Sequence, residues 1–151
     1  MKNTKNGFTM IEMVFVIVVL GILASIAIPR FAATRTDAQI SKGRGDVSAI
    51  RSGIVTERQS RLILGQRNFI PNGTSTYEAG GKTYKQMDNG GLFGGILTYP
   101  IAASSGDTGW SSSASGTYVF KIDGTGTTFT YNATTGVFDC TTGTYCSALT
   151  D

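Results

Sequence analysis

The apolar residues of this 151-residue chain are concentrated near its N-terminus. Positions 8–28 form a run of 21 residues in which Glu12 is the single charged side chain. As an α-helix with a rise of about 1.5 Å per residue, this run would span about 30 Å, the thickness of the hydrocarbon core of a bilayer. The pattern therefore predicts a helix that is long enough to cross a membrane.

A second, sparser pattern of apolar residues begins after Pro29. Its apolar positions are separated by three, four, seven or eight residues, with basic side chains between them: Ala33, Ile40, Val47, Ile50, Ile54 and Leu62 alternate with Arg35, Lys42, Arg44, Arg51 and Arg58. This spacing predicts an amphipathic helix over residues 30–65, whose apolar stripe packs on a globular head. Gly43 and Gly45 weaken this helix and indicate either a bend or a close contact with a neighbour.

The segment after this helix is rich in glycine, serine and threonine. Turn-forming residues predict a long loop over residues 68–95, interrupted by one short strand around Lys82 to Gln86. Residues 92–99 are apolar enough to be buried. The serine cluster from Ser111 to Ser115, beside Trp110, predicts an exposed loop with one aromatic anchor.

Alternating apolar and polar residues near the C-terminus predict an antiparallel meander. Its strands fall at residues 117–122, 127–132 and 136–139, separated by two short turns, the first of which is Asp123-Gly124-Thr125-Gly126. A meander needs an apolar layer on one face, and the long helix is the amphipathic element available to cover it. The predicted fold class is therefore α+β: a long N-terminal helix, half transmembrane and half amphipathic, packed on a small C-terminal antiparallel β-sheet.

Two ordinary interpretations of the N-terminal segment leave Glu12 unexplained. Lys2, Lys5 and the apolar run fit a cleaved secretory signal, with small residues at 25–27 as its cleavage site. The same residues fit a single-pass anchor with a cytoplasmic N-terminus. An ionised carboxylate inside a membrane helix costs roughly 2.5 to 3.5 kcal/mol on insertion scales. Neither a disposable signal nor a simple anchor requires that cost.

The residues Gly7-Phe8-Thr9-Met10-Ile11-Glu12, followed by the apolar run, resemble the type III signal of type IV pilins and type II secretion pseudopilins. The resemblance implies that a prepilin peptidase cuts between Gly7 and Phe8 and methylates the new N-terminus at Phe8. Residues 1–7 would then be a leader peptide, and residues 8–29 would form the transmembrane and filament-core helix.

The resemblance also assigns roles inside the predicted helix. Glu12 would dock a subunit by pairing with the N-terminal amine of Phe8 in a neighbouring subunit, an attraction that low dielectric strengthens. Gly21 and Pro29 match the positions between which similar pilins unwind in filaments, and both residue types weaken a helix. Alone, these two residues fit a routine transmembrane glycine and a proline at the end of a span.

The sequence favours neither an enzyme nor a nucleic-acid binder. Histidine is absent, no serine or cysteine has a base to activate it, and no glycine loop resembles a phosphate cradle. Of the 13 basic residues, Lys2 and Lys5 lie in the predicted leader, and the rest nearly balance the 10 acidic residues. We therefore expect no catalytic residues, no cofactor, no metal and no nucleic-acid partner. The turn at Asp123–Gly126 offers one carboxylate, too few ligands for a calcium loop.

Cys140 and Cys146 are the two cysteines of the chain. Their position in a threonine-rich segment suggests one disulfide and an oxidising compartment. Two free thiols, or a metal site with two cysteine ligands, are the alternatives. The resemblance favours the disulfide, because similar pilins staple their C-terminal region in this way.

The predicted function is that of a structural subunit of a type IV pilus or a type II secretion pseudopilus. Its expected partners are membrane lipid before assembly, the prepilin peptidase, an inner-membrane assembly platform, and identical subunits in a helical filament. The expected location is the bacterial inner membrane, with a head (residues 66–151) outside the cytoplasm, and later the filament. The alternative is a membrane-tethered binding module or adhesin that forms no filament.

Overall fold

The computed structural model describes residues 7–151, except for the side chains at positions 28–33. The predicted leader, apart from Gly7, and the side chain of Pro29 therefore lie outside the described residues. The chain divides into two compact units, one ending at Asp37 and the other comprising Ala38–Asp151. A single α-helix, α1, runs from Met10 to Ile63 and contributes residues to both units. Its end confirms the prediction of a helix that stops near Gly65.

The second unit contains two antiparallel sheets and a short C-terminal helix. The strands β1 (Thr76–Ala79) and β2 (Lys82–Lys85) form a hairpin. The four-stranded sheet has the order β3-β4-β5-β6, with ranges Gly109–Ala114, Thr117–Ile122, Thr125–Asn132 and Val137–Thr142. The helix α2 spans Cys146–Thr150. The α+β fold class and the C-terminal meander are confirmed.

The core of this unit lies between α1 and one face of the four-stranded sheet. Val47, Ile50 and Ile54 of α1 are buried, as the predicted stripe requires. The inward residues of the sheet are mostly aromatic and buried: Tyr118, Phe120, Ile122, Phe129, Tyr131 and Phe138. The rings of Phe120, Phe129 and Phe138 pack against the ring of Trp110. Burial of each such side chain stabilises the fold by about 1.5–3 kcal/mol.

The serine cluster beside Trp110 is a strand and not the predicted loop. Ser111 pairs with Val119 and Ser112 with Tyr118, which makes β3 an edge strand of the sheet. An antiparallel sheet that is covered on one face leaves the other face to water. The indole of Trp110 is buried and supplies the apolar anchor of β3, whereas Ser112, Ser113 and Ser115 are exposed. The Trp110 Nε1–H also donates to Asp46 Oδ2 at 3.0 Å, which ties β3 to α1.

The segment 68–95 contains a hairpin where a single strand was predicted. The strand β2 matches the predicted strand, and β1 is its partner across the turn at Gly80 and Gly81. Both turn glycines have positive φ, a conformation that glycine adopts without strain. A two-stranded hairpin is marginal by itself, so its stability depends on contacts with α1.

Arg61 provides those contacts and is buried, although arginine side chains are seldom fully buried. Its side chain is 1% exposed. The guanidinium donates to Glu57 Oε1 at 2.9 Å, to the Lys85 carbonyl oxygen at 3.1 Å and to the Tyr77 hydroxyl. It also lies 5.5 Å from the ring centroids of Tyr77 and Tyr84. One cation therefore joins the last turns of α1 to both strands of the hairpin.

Two apolar residues expected to be buried are exposed. Leu62, the last residue of the predicted stripe, is 49% exposed because Arg61 occupies the inward position at that turn. Tyr99 is 85% exposed, whereas Leu92 and Phe93 in the same predicted segment are buried. Leu92 pairs with Ile101 in an isolated bridge, and this closes the segment so that Tyr99 projects from it.

Candidate functional site

The N-terminal part of α1 presents its apolar side chains to the surroundings. The stretch Met10–Ala27 is long and apolar enough to cross a membrane, and none of its side chains is buried within the chain. A helix that is apolar on all faces needs lipid or other helices around it. The predicted membrane-spanning helix is therefore present as a helix without a covering layer from its own chain.

Glu12 lies in the first turn of this helix and forms a reciprocal capping box with Thr9. The Thr9 backbone N–H donates to Glu12 Oε2 at 3.4 Å, and the Glu12 backbone N–H donates to Thr9 Oγ1 at 3.3 Å. These two bonds satisfy backbone donors that a helix N-terminus would otherwise leave open. They also fold the carboxylate of Glu12 back toward the N-terminal end of the chain.

Thr9 was not among the predicted residues of the N-terminal site, although it caps the helix together with Glu12. A threonine followed three residues later by a glutamate, before an apolar run, is the sequence signature of a capping box. The resemblance to the pilin signal assigns a role to Glu12 and none to Thr9. The structure adds the side chain that orients it.

The carboxylate of Glu12 carries a charge that the capping box does not neutralise. Among the residues that the structure describes, no cation forms an ion pair with Glu12. A neutral backbone donor lowers the cost of the charge in hydrocarbon, but a cation would lower it further. Phe8, whose amine would become the N-terminus after cleavage, precedes Thr9 and is 78% exposed.

Two further predicted positions of the N-terminal site, Gly7 and Gly21, have free space around their α-carbons. A side chain added at Gly7 or at Gly21 would meet no atom within 4 Å. The helix α1 is continuous through both Gly21 and residue 29. The predicted unwinding concerns assembled filaments, so it stays a prediction.

The C-terminal disulfide between Cys140 and Cys146 is present, as predicted. It joins β6 to the start of α2. Arg44 of α1 donates from Nε and Nη2 to the carbonyl oxygen of Ala148, at 3.0 and 2.7 Å. Leu149 is buried in the core of the unit. The C-terminal segment is thus held by a covalent bond, two charged hydrogen bonds and one apolar contact.

Two tyrosine hydroxyls are buried in the head. Burial raises the pKa of Tyr118 well above its usual range, and the nearby Asp88 carboxylate, which accepts its hydrogen bond at 2.8 Å, adds to the effect. Burial raises the pKa of Tyr131 to about 12, although the positive charge of Arg61 opposes this shift. The Tyr131 hydroxyl donates to the Ile70 carbonyl oxygen at 2.9 Å. Both groups therefore favour the neutral phenol in the fold.

The turn that could have been taken for a calcium loop is a hairpin turn. Asp123 and Gly124 connect β4 to β5, and both have positive φ. The Asp123 carboxylate accepts a hydrogen bond from Gln39 Nε2 at 3.1 Å. Within the described part of the chain, no three histidine, cysteine, aspartate or glutamate side chains cluster as metal ligands would.

Comparisons with known proteins identify relatives of this arrangement. The model of the prokaryotic N-terminal methylation motif matches residues 2–28. The type IV major fimbrial protein FimA of Dichelobacter nodosus is 38% identical over 110 residues, which cover 68% of this chain and 67% of FimA. The type IV narrow pilus major component PilA5 of Thermus thermophilus is 36% identical over 87 residues, covering 56% of this chain and 72% of PilA5.

A shorter match links the chain to a secretion system. The type II secretion system core protein G of Pseudomonas aeruginosa is 34% identical over 53 residues, covering 35% of this chain and 37% of that protein. No solved structure matches the chain significantly. The matches to FimA and PilA5 therefore extend well beyond the N-terminal motif, whereas the secretion-protein match spans about a third of either chain.

Proposed function

We propose an assembly mechanism for this chain, which belongs to the family of type IV pilins and type II secretion pseudopilins and is a structural subunit of a filament. The observation that carries the mechanism is the capped Glu12 on an otherwise apolar, uncovered helix. Such a helix can exchange lipid for the helices of neighbouring subunits. This proposal assigns no enzymatic activity to the head.

The first step is processing at the N-terminus. A prepilin peptidase cuts between Gly7 and Phe8 and methylates the amine of Phe8. The match of the N-terminal methylation motif to residues 2–28 supports this step. Lys2 and Lys5 are removed with the leader, and the new cation at Phe8 lies one residue before the capping box.

The second step is docking, in which Glu12 changes partners. In the free subunit its carboxylate accepts the Thr9 N–H. In the filament it pairs with the methylated amine of Phe8 on a neighbouring subunit, which replaces a neutral donor by a cation in a low-dielectric environment. The exchange favours assembly and fixes the axial position of one subunit against the next. Gly21 and Pro29 let the helix unwind locally as it packs.

The third element is topology. The positive charges of Lys2 and Lys5 hold the N-terminus of the precursor on the cytoplasmic side of the bacterial inner membrane, and the head lies outside. The disulfide of the head supports a location outside the cytosol. An inner-membrane assembly platform then extracts the subunit. The segments that carry these steps are residues 1–7, 8–29, 30–65 and 66–151.

Of the two filament types, we favour the type IV pilus. The matches to FimA and PilA5 cover 67% and 72% of those proteins, whereas the match to the secretion core protein covers 37%. A secretion pseudopilus is the second candidate, because the same N-terminal mechanism would serve it. Loss of surface filaments when the gene is deleted, with secretion unchanged, would support the pilus.

Mass spectrometry of the protein isolated from cells tests the processing step. We expect an N-terminal peptide that begins with methylated Phe8. An intact precursor, or cleavage after Ala27, would contradict the proposal and support an anchored or secreted binding module.

Filament yield tests the docking step. Glu12→Gln keeps the size and the hydrogen bond to Thr9 but removes the charge, so we expect membrane insertion to persist and filaments to be lost. Thr9→Val, with Thr9→Ser as its matched control, removes only the hydroxyl that caps the helix. We expect Thr9→Val to reduce filament yield and Thr9→Ser to leave it near normal. Normal filaments from Glu12→Gln would refute the exchange of partners while leaving the processing result untouched.

A further inference from the structure

A cleft of about 570 Å³ opens on the head beside the loop that follows β2. It is lined by Gly90, Gly91 and Leu92 and by residues 100–103, two segments that the bridge between Leu92 and Ile101 joins side by side. Asp88 and Ser112 complete its lining together with Thr74. The volume falls in the range of pockets that hold small organic molecules.

Asp88 is the acidic group of this cleft and is 7% exposed. Its Oδ1 accepts the backbone N–H of Phe93 at 3.0 Å, and its Oδ2 accepts the Tyr118 hydroxyl at 2.8 Å. Both donors are neutral, and a carboxylate has about four acceptor positions. Each oxygen of Asp88 therefore keeps capacity for one further donor.

The charge of Asp88 has no cationic partner within the portion of the chain that the structure describes. Buried charges in proteins are normally paired or bind a cation. Burial and the negative charge of Asp88 together raise the pKa of the Tyr118 phenol, so the charge of Asp88 acts on a neighbouring group. Asp88 thus gives the cleft a negative charge that forms no ion pair with any described residue.

The walls and the rim of the cleft suit a particular kind of cation. Leu92, Pro100, Ile101, Ala102 and Ala103 supply aliphatic surface, which favours a stem of methylene groups. The hydroxyls of Thr74 and Ser112 line the same space. An ammonium has three N–H donors, so it can use the carboxylate and hydroxyl acceptors together.

We propose that this cleft binds a small organic molecule with a primary ammonium group on an aliphatic stem. The ammonium pairs with the Asp88 carboxylate, and the stem lies against the aliphatic surface of Leu92 and the segment 100–103. This inference concerns the head alone and does not depend on the proposed assembly mechanism.

Fluorescence of Trp110, the one tryptophan of the chain, provides the measurement. Its ring centroid lies 5.7 Å from that of Phe93, the residue whose N–H contacts Asp88. The full-length protein in detergent micelles is titrated with n-butylammonium, with n-butanol as the neutral probe of the same stem and with Ca²⁺ as the inorganic cation. We expect a saturable change with butylammonium and none with butanol or Ca²⁺.

Two variants assign the binding to the cleft. Asp88→Asn removes the charge, and we expect affinity to fall about tenfold or more, as for loss of a charged hydrogen bond. Ser112→Leu narrows the cleft without touching the carboxylate and should also abolish binding, whereas Ser113→Leu, the next residue in β3, should not. Equal response to butanol, binding of Ca²⁺ alone, no saturable binding at all, or unaltered binding in Ser112→Leu would each overturn the proposal.

Discussion

Gly43 lies so close to the ring of Phe120 that a Cβ atom at residue 43 would stand 2.5 Å from Phe120 Cε1. The same atom would stand 2.7 Å from Leu149 Cδ2. The sequence left open a bend or a close contact with a neighbour at Gly43 and Gly45. At Gly43 the structure has instead a close contact with the head of the same chain. The helix passes through this point without interruption.

Gly43→Ala should therefore destabilise the head, and Gly45→Ala should not. Overpacking a core typically costs about 1–3 kcal/mol, which exceeds the helix-propensity gain of up to about 1 kcal/mol. A Cβ at residue 45 would meet no atom within 4 Å. Gly45→Ala should therefore gain helix propensity without a packing cost. Urea unfolding of the full chain in micelles, followed by Trp110 fluorescence, measures both. Equal effects of the two substitutions would contradict the close contact.

Removal of the buried cation at Arg61 should loosen the β1–β2 hairpin. Arg61→Ala leaves the Lys85 carbonyl and the Glu57 carboxylate without their donor, and we expect a loss of roughly 2–5 kcal/mol. Arg67→Ala, an exposed arginine close by in the sequence, should change the unfolding free energy by less than about 0.5 kcal/mol.

Amide hydrogen exchange then locates the Arg61 effect. The amides of β1 and β2 should lose protection against exchange in Arg61→Ala. The amides of β4 and β5 should stay protected and exchange only when the whole unit unfolds. Uniform loss of protection across both sheets would show that Arg61 supports the whole core and not this hairpin.

The disulfide should contribute about 2 kcal/mol to the stability of the head in the chain-entropy model, because the loop it closes is short. The double substitution of Cys140 and Cys146 by serine should lower the urea midpoint by a corresponding amount. Reduction of the native protein should reproduce that shift. The double-serine protein supplies the control, since the same reductant should leave its midpoint unchanged.

The stability of the head should fall at alkaline pH. The folded pKa of Tyr131 is about 12, above the ordinary value of 10.0. The stabilisation that this shift represents is complete below pH 10 and is lost as the pH rises from 10 toward 12. Tyr118, whose pKa is also raised, adds to the loss.

Tyr131→Phe should weaken this pH dependence. It removes one titrating group and one hydrogen bond to Ile70, so we expect lower stability at pH 8 and a shallower decline between pH 10 and 11. The exposed Tyr99→Phe is the matched control and should keep the native slope. Unfolding free energies at pH 8, 10 and 11 would decide between these outcomes.

The elements that were predicted correctly from the sequence have apolar residues at regular intervals. The stripe through Val47, Ile50 and Ile54 and the alternation through β4 reflect burial of one face, and burial of one face leaves a periodic pattern. β3 has one buried aromatic, Trp110, and a serine-rich exposed side, so its composition resembles a loop. Its pairing with β4 comes from the sheet and not from local preference.

Arg61 and Thr9 illustrate two different limits. Burial of Arg61 depends on tyrosines and a carbonyl group in strands that follow it by 16 or more residues, and no local pattern indicates such partners. The pairing of Thr9 with Glu12 was visible as a capping box in the sequence. The cleft at Asp88 depends on segments about 10 to 40 residues apart in the chain, from Thr74 to Ser112, so it required the fold.

The four strands of the main sheet lie side by side in the order in which they occur along the chain. No strand is inserted between two earlier ones, so the sheet can grow by one hairpin at a time with little loop-closure cost. The helix α2 and its disulfide come after the last strand. The crosslink therefore closes none of the turns between the strands and restrains only the segment that leads from β6 to α2.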